Sequence, residues 1–210
     1  MISKIMVIND VHMYAPHQLF GSVKEFLNKI LWEKAFNDLN DVDIYPIGDN
    51  FDANHCPKKK IDEFMVAGQE FKLRFKDNFI AGNHEIGVFG NDPEFRVINT
   101  IRGRYLLTHG DLPFWGAADA YKYRNDNKIG ASAFKRFFVG KFDEFRHALP
   151  VKLKPDYIER AELYMKKYDC IGIIQGHKHP ETEINQMING KHHIVLPRGI
   201  NIVRFDKTSE

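Results

Sequence analysis

Five short runs in this 210-residue chain concentrate side chains able to hold a divalent metal: Asp10-Val11-His12, Gly48-Asp49-Asn50-Phe51-Asp52, Gly82-Asn83-His84-Glu85, His109 and Gly176-His177-Lys178-His179. Carboxylate, amide oxygen and imidazole form a mixed donor set that suits manganese, iron, cobalt, nickel or zinc. No cysteine enters the runs, which argues against a structural zinc site. The donors outnumber the needs of one ion. Two ions about 3.5–4 Å apart would share a bridging carboxylate and activate a water between them. Taken singly, each run also reads as an ordinary polar loop; whether the fold positions them together decides between the two.

Each run follows a strand pattern. Ile5-Met6-Val7-Ile8 is a continuous apolar stretch of the kind covered on both faces. Residues 42–47 and Phe79-Ile80-Ala81 read as two more strands, with helices between them. In the first helix Leu19, Val23, Leu27, Ile30 and Leu31 recur at helical spacing. The second runs from the lysines at 58–60 through Phe75. The order strand–helix–strand–helix–strand predicts parallel strands joined by right-handed crossovers. Ligands in open α/β sheets bind beyond the carboxyl ends of such strands, so three of the runs meet at one edge. Further strands are expected at 95–100, 104–108 and 170–175, the last two ending in His109 and Gly176-His177. Residues 112–168 read as helical, with a Phe stripe at 134–145 and Tyr157, Ala161, Tyr164 and Tyr168 on one later face. The tail (183–188, 193–196, 200–205) reads as antiparallel strands with a hairpin turn at Asn189-Gly190. Glycines at 48, 82 and 176 permit sharp turns at the strand ends.

The bulk properties are those of one globular domain: 43% hydrophobic, 28% charged and a formal charge of +2, which gives no whole-molecule signature of nucleic-acid binding. Two distant cysteines, Cys56 and Cys170, make no disulfide framework and point to a reducing compartment. No run reaches membrane-spanning length and no leader peptide can be drawn, so a cytoplasmic location is expected.

In order and spacing the five runs resemble the signature of the calcineurin-like metallophosphoesterases: Asp-x-His, Gly-Asp-x-x-Asp, Gly-Asn-His-Asp/Glu, a lone His, and Gly-His-x-His. The resemblance implies an α/β fold, a two-sheet β-sandwich flanked by helices in four layers. It would be one domain over residues 1–210 with a helical cap at about 112–168. It implies two divalent ions, manganese first among the candidates and iron, zinc, nickel or cobalt after it. Asp10, His12 and His179 would bind one ion, Asn83, His109 and His177 the other, and Asp49 would bridge. His84 would protonate the leaving-group oxygen, and Asp52 and Glu85 would orient the histidines or loops around it. The implied reaction is in-line attack of a metal-bridging hydroxide on a phosphate monoester, diester or pyrophosphate, with a phosphorylated small molecule or nucleotide as substrate. Alternatives within the resemblance are a nuclease or cyclic-nucleotide phosphodiesterase, and a non-catalytic protein-binding scaffold. A UDP-2,3-diacylglucosamine pyrophosphohydrolase-like enzyme is a further one, although those enzymes typically carry Arg where this chain has His84.

Other residues read more plainly. His17, His55, His147, His192 and His193 match no run and are expected at the surface, His55 being the nearest to a cleft-lining position. Cys56 reads as a passive thiol, and Arg198 is expected not to reach the site. Residues 121–154 hold nine Lys or Arg against three acids, a net +6. That charge fits either a solvated helical face or a cap that draws an anionic substrate, nucleic acid included.

Overall fold

The computed structural model describes residues 1–16, 18–37, 39, 41–85, 88–89, 93–115 and 153–205. Strand β1 (Lys4–Asn9) is the centre of a three-stranded sheet. β2 (Ile44–Pro46) pairs with it in parallel on one side and β8 (Gly199–Arg204) antiparallel on the other. The second sheet has the order β3 (Phe95–Thr100), β4 (Gly103–Thr108), β5 (Gly172–Gln175), β7 (Lys191–Val195), β6 (Ile184–Ile188). Its β4–β5 and β5–β7 pairs are parallel and the outer pairs antiparallel.

Alternation along β1 explains the layers. Ile5 and Val7 face the second sheet, joining Tyr45, Ile47, Tyr105, Leu107, Ile174 and Ile194 in the inter-sheet core. Met6 and Ile8 face outward into a core built with Phe26, Ile30, Phe64 and Phe71, from α1 (Val23–Phe36) and α2 (Ile61–Phe75). On the far side, Leu106 and Ile173 pack under Tyr157, Ala161 and Met165 of α4 (Pro155–Lys167). The result is helix, sheet, sheet, helix, as the resemblance implied. A short helix, α3 (Asp111–Trp115), precedes α4 and is tied to it by Arg160, which donates to the carbonyls of Pro113 and Phe114. No described helix is long and apolar enough to cross a membrane.

Several expectations change. Residues 79–81 form no strand of their own: Ile80 makes a single parallel bridge to Ile47. The helix expected from Leu19 begins at Val23, because Ser22 accepts from the Glu25 N–H while the Glu25 carboxylate accepts from the Gly21 N–H, a reciprocal cap. Its buried face is Phe26 and Ile30, while Leu19 and Leu31 are exposed. The tail is antiparallel only in part: β7 joins β5 in parallel, and β8 crosses to the other sheet. The hairpin stands at Asn189 and Gly190, both in the left-handed region (φ 50° and 74°). The Phe stripe at 134–145, the basic segment between 116 and 152, His17 and His147 lie outside the described residues.

Candidate metal centre

The loops that follow the strands are joined by backbone bonds before any side chain is considered. Asp10 N–H donates to Gly48 O (3.0 Å), His12 N–H to Asp49 O (2.8 Å) and Met13 N–H to Asn50 O (2.9 Å), so the first two loops run side by side. Gly176 N–H donates to His109 O (3.0 Å), joining two more. The third loop is pinned by Glu85, whose buried carboxylate accepts from Phe51 N–H (2.7 Å) and Gly82 N–H (3.2 Å). Burial, with Asp49 nearby, pushes that carboxyl up to about 8.

Glycine is required where the loops touch. A Cβ on Gly82 would stand 2.2 Å from Asp49 Oδ1, and one on Gly176 the same distance from Asp10 Oδ2. Five non-glycine residues here hold left-handed backbones: Asp10 (φ 53°), His12 (54°), Asp49 (50°), His177 (68°) and His179 (47°). Each costs about 1–3 kcal/mol and persists only where the surroundings over-determine it, a pattern typical of functional sites.

Those backbones aim the side chains into two clusters. In one, His179 Nε2 lies 2.9 Å from Asp10 Oδ1 and 3.4 Å from His12 Nε2. In the other, His109 Nε2 lies 3.1 Å from Asn83 Oδ1, from Asp49 Oδ2 and from His177 Nδ1. Asp49 also groups with His12 and His84, within 4.8 Å, and so stands between the clusters. All seven sequence-predicted ligand residues are therefore brought together.

The donor set fits divalent ions. His109 Nδ1–H donates to Ile47 O (3.2 Å), which turns Nε2 toward an amide oxygen, a carboxylate and a second imidazole nitrogen. Acceptor atoms so directed at one another repel unless a proton or a metal cation lies among them. The charges point the same way. Burial by itself would raise the Asp10 carboxyl, but His179, His109 and His12 hold it well below the usual range. Asp49 is lowered likewise, against its burial, by His109, His84 and His12. Burial works to lower His109, yet Asp49 and Asp10 raise it to about 10. These carboxylates stay ionised and attract positive charge to their imidazole neighbours.

Asp52 gathers a further group. Its Oδ2 accepts from His12 Nδ1 (3.2 Å) and His55 Nδ1 (2.8 Å), and its Oδ1 from His84 Nδ1 (3.0 Å) and the His55 N–H (3.0 Å). Asp52, His55 and His84 lie as close together as a metal site would require, but donors already occupy both Asp52 oxygens, so the carboxylate serves as a hydrogen-bond hub. It directs His12 Nε2 at the first cluster and His84 Nε2 toward Asp49 Oδ2, 3.8 Å away. Burial acts to lower His84, but Asp52 and Asp49 outweigh it and raise the imidazole to about 9.

Three expectations about the remaining polar residues are corrected. His55 is buried, because it sits one turn beyond Asp52 and bonds back to it. His193 is buried because β7 lies inside the sheet and its outer face is covered by α4; its ring meets that of Tyr157 at 5.9 Å. Arg198 does reach the site: its Nε–H donates to the Asp10 carbonyl (2.9 Å). Asn9 and Asn54 were missed altogether. Asn9 Nδ2 lies 2.7 Å from Asp10 Oδ2, and Asn54 Nδ2 is 3.5 Å from His84 Nδ1. Their only sequence signal was adjacency to the runs.

No curated protein matches the chain. Among solved structures it is similar to a dimetal phosphatase from Danio rerio at 13% identity, over 98% of this chain and 93% of that one, with a TM-score of 0.52. It is also similar to Vacuolar Protein Sorting 29 from Cryptosporidium parvum at 12% identity, over 93% and 74%, with a TM-score of 0.48. Residues 3–181, a span that takes in all five runs, match the family model of the calcineurin-like phosphoesterases. With the four layers and the converging strand-end loops already in place, that match makes the chain a member of the calcineurin-like phosphoesterase family.

Proposed function

We propose that the chain is a dinuclear metal-dependent phosphoesterase. The observation that carries this reading is the convergence of seven donor groups from five loops into two clusters with Asp49 between them. Asp10, His12 and His179 would hold one divalent ion, and Asn83, His109 and His177 the other. Asp49 would serve both, its side chain held in place by the His84 N–H, which donates to its Oδ1 (2.8 Å). Manganese is the first candidate among the borderline ions that suit these donors. Two such ions supply charge neutralisation at a phosphoryl group and a nucleophile at neutral pH.

The chain's own residues do the rest. His84, held by Asp52 through Nδ1, is the proton donor for the leaving oxygen. Asp52 fixes the ring so that Nε2 faces the reacting side, and Glu85 locks the loop that carries both Asn83 and His84. The substrate class is a phosphorylated small molecule or nucleotide. The test is hydrolysis of an aryl phosphate monoester and diester with added Mn²⁺, before and after chelation. Turnover should vanish on metal removal and return on Mn²⁺ addition; turnover that survives complete removal overturns the reading.

A further inference from the structure

The two oxygens of Asp10 have different partners. Oδ1 faces His179 Nε2 at 2.9 Å, inside the first cluster. Oδ2 is turned away and accepts from Asn9 Nδ2 (2.7 Å) and the His177 backbone N–H (2.8 Å). Asn9 is held in turn: its Nδ2 also donates to Pro197 O (3.1 Å), and its Oδ1 accepts from Asn201 Nδ2 (3.0 Å). Both partners of Asn9 Nδ2 are oxygens that accept only, so the amide cannot be turned over without losing both bonds. Asn201 Nδ2 further donates to Pro197 O (2.9 Å), and Arg198 Nε–H donates to the Asp10 carbonyl (2.9 Å).

Three of these groups come from residues 197–201, beyond the segment that the family model matches. The antiparallel β1–β8 register, with Asn9 opposite Gly199, is what carries them to the end of β1. They hold a residue that needs holding. Asp10 has a left-handed backbone (φ 53°), fixed on its amide side by Gly48 O and on its carbonyl side by Arg198. A carboxylate left to rotate would trade Oδ1 for Oδ2 and lose rotamer entropy on binding an ion.

We propose that Asn9, Arg198 and Asn201 form a brace that fixes Asp10 as a one-oxygen ligand and sets the metal affinity of the Asp10–His12–His179 cluster in preference to that of the other cluster. The proposal rests on the dinuclear reading above. Groups that orient a ligand from behind typically contribute about 10–100-fold to metal affinity. The tie from Asp10 toward the second cluster is the His177 backbone N–H, which side-chain substitutions leave in place.

The test is calorimetric titration of chelator-stripped protein with Mn²⁺, comparing wild type with Arg198→Met and with Asn201→Asp, which keeps the shape of the amide but removes its donor. His179→Ala and Asn83→Ala assign which binding step belongs to which cluster, and thermal melts of the stripped proteins monitor the fold. The step lost in His179→Ala should weaken about 10–100-fold in the brace variants. The step lost in Asn83→Ala should stay within about threefold of wild type, too little to reflect the loss of an orienting contact. Parallel weakening of both steps, or variants that bind like wild type, overturns the brace while leaving the dinuclear reading intact. A wild-type chain that takes up no Mn²⁺ overturns the dinuclear reading and the brace with it. Should Asn201→Asp fail to fold, the Arg198→Met titration decides alone.

Discussion

Asp52 joins three imidazoles of this site, although it is not a proposed ligand. Through two oxygens it orients His12, His55 and His84. In the metal-free protein His84 titrates at about 9, because Asp52 and Asp49 overcome the effect of burial. The sign follows: a raised imidazole contributes stability that is full below the ordinary value of about 6.5 and is lost as pH rises through about 9. Asp52→Asn should therefore bring the His84 ring resonance, followed by NMR in chelator, to titrate well below its wild-type position. An unchanged titration would mean that Asp52 does not hold the charge. In the loaded protein, His84→Ala should lower kcat about 100-fold or more on an alkyl phosphate and much less on an activated aryl phosphate, whose leaving group needs no proton. Equal losses on both would remove His84 from the donor role. The proposed ligands were legible in sequence because each stands at a strand end beside a glycine or in a short polar run. The brace was not. Asn9 and Asn201 are 192 residues apart, and only the register of β8 on β1 brings them together.

At the scale of elements, β7 shows how position in a sheet overrides polarity. His192-His193 reads as surface, yet β7 pairs on both edges and α4 covers its outer face. Sequence periodicity could not reveal this, because burial there depends on a helix that approaches from a distant part of the chain. Neither ring nitrogen of His193 has a hydrogen-bond partner among the described residues. Burial lowers its imidazole, Glu162 opposes that, and Lys191 and His192 add to the lowering. A depressed imidazole favours the folded state fully above about 6.5, and that stability drains as pH falls from there toward the lowered value. His193→Leu should stabilise the protein by on the order of 1 kcal/mol at pH 8, since an unpaired buried polar group is replaced by an apolar one. The gain should be larger at pH 5.5. Urea unfolding of both proteins at the two pH values reads this directly. A gain that is the same at both would show that His193 does not titrate across that range.

For the molecule as a whole, the site joins the two sheets. Asp10 and His12 follow β1, Asp49 follows β2, and Asn83 lies just past the Ile80 bridge, all at one end of the first sheet. His109 follows β4, and His177 and His179 follow β5, at the matching end of the second. Ions held in the two clusters would thus couple the layers, and ligand binding to the folded state adds stability through mass action. At a hundredfold excess over Kd, each ion contributes about 2.7 kcal/mol. For a chain of this size that corresponds to about 5–10 °C in Tm per ion. The stripped protein should therefore melt well below the Mn²⁺-loaded one. His179→Ala, which disables one cluster, should keep about half of the metal-dependent increment. Asp49→Ala should lose nearly all of it, because Asp49 Oδ2 faces the second cluster while the same side chain groups with His12 of the first. Differential scanning calorimetry of the three proteins with and without Mn²⁺ gives the ranking. An Asp49→Ala protein that gains as much from Mn²⁺ as wild type would show that the clusters do not share this carboxylate, and that the two sheets are joined by their apolar core alone.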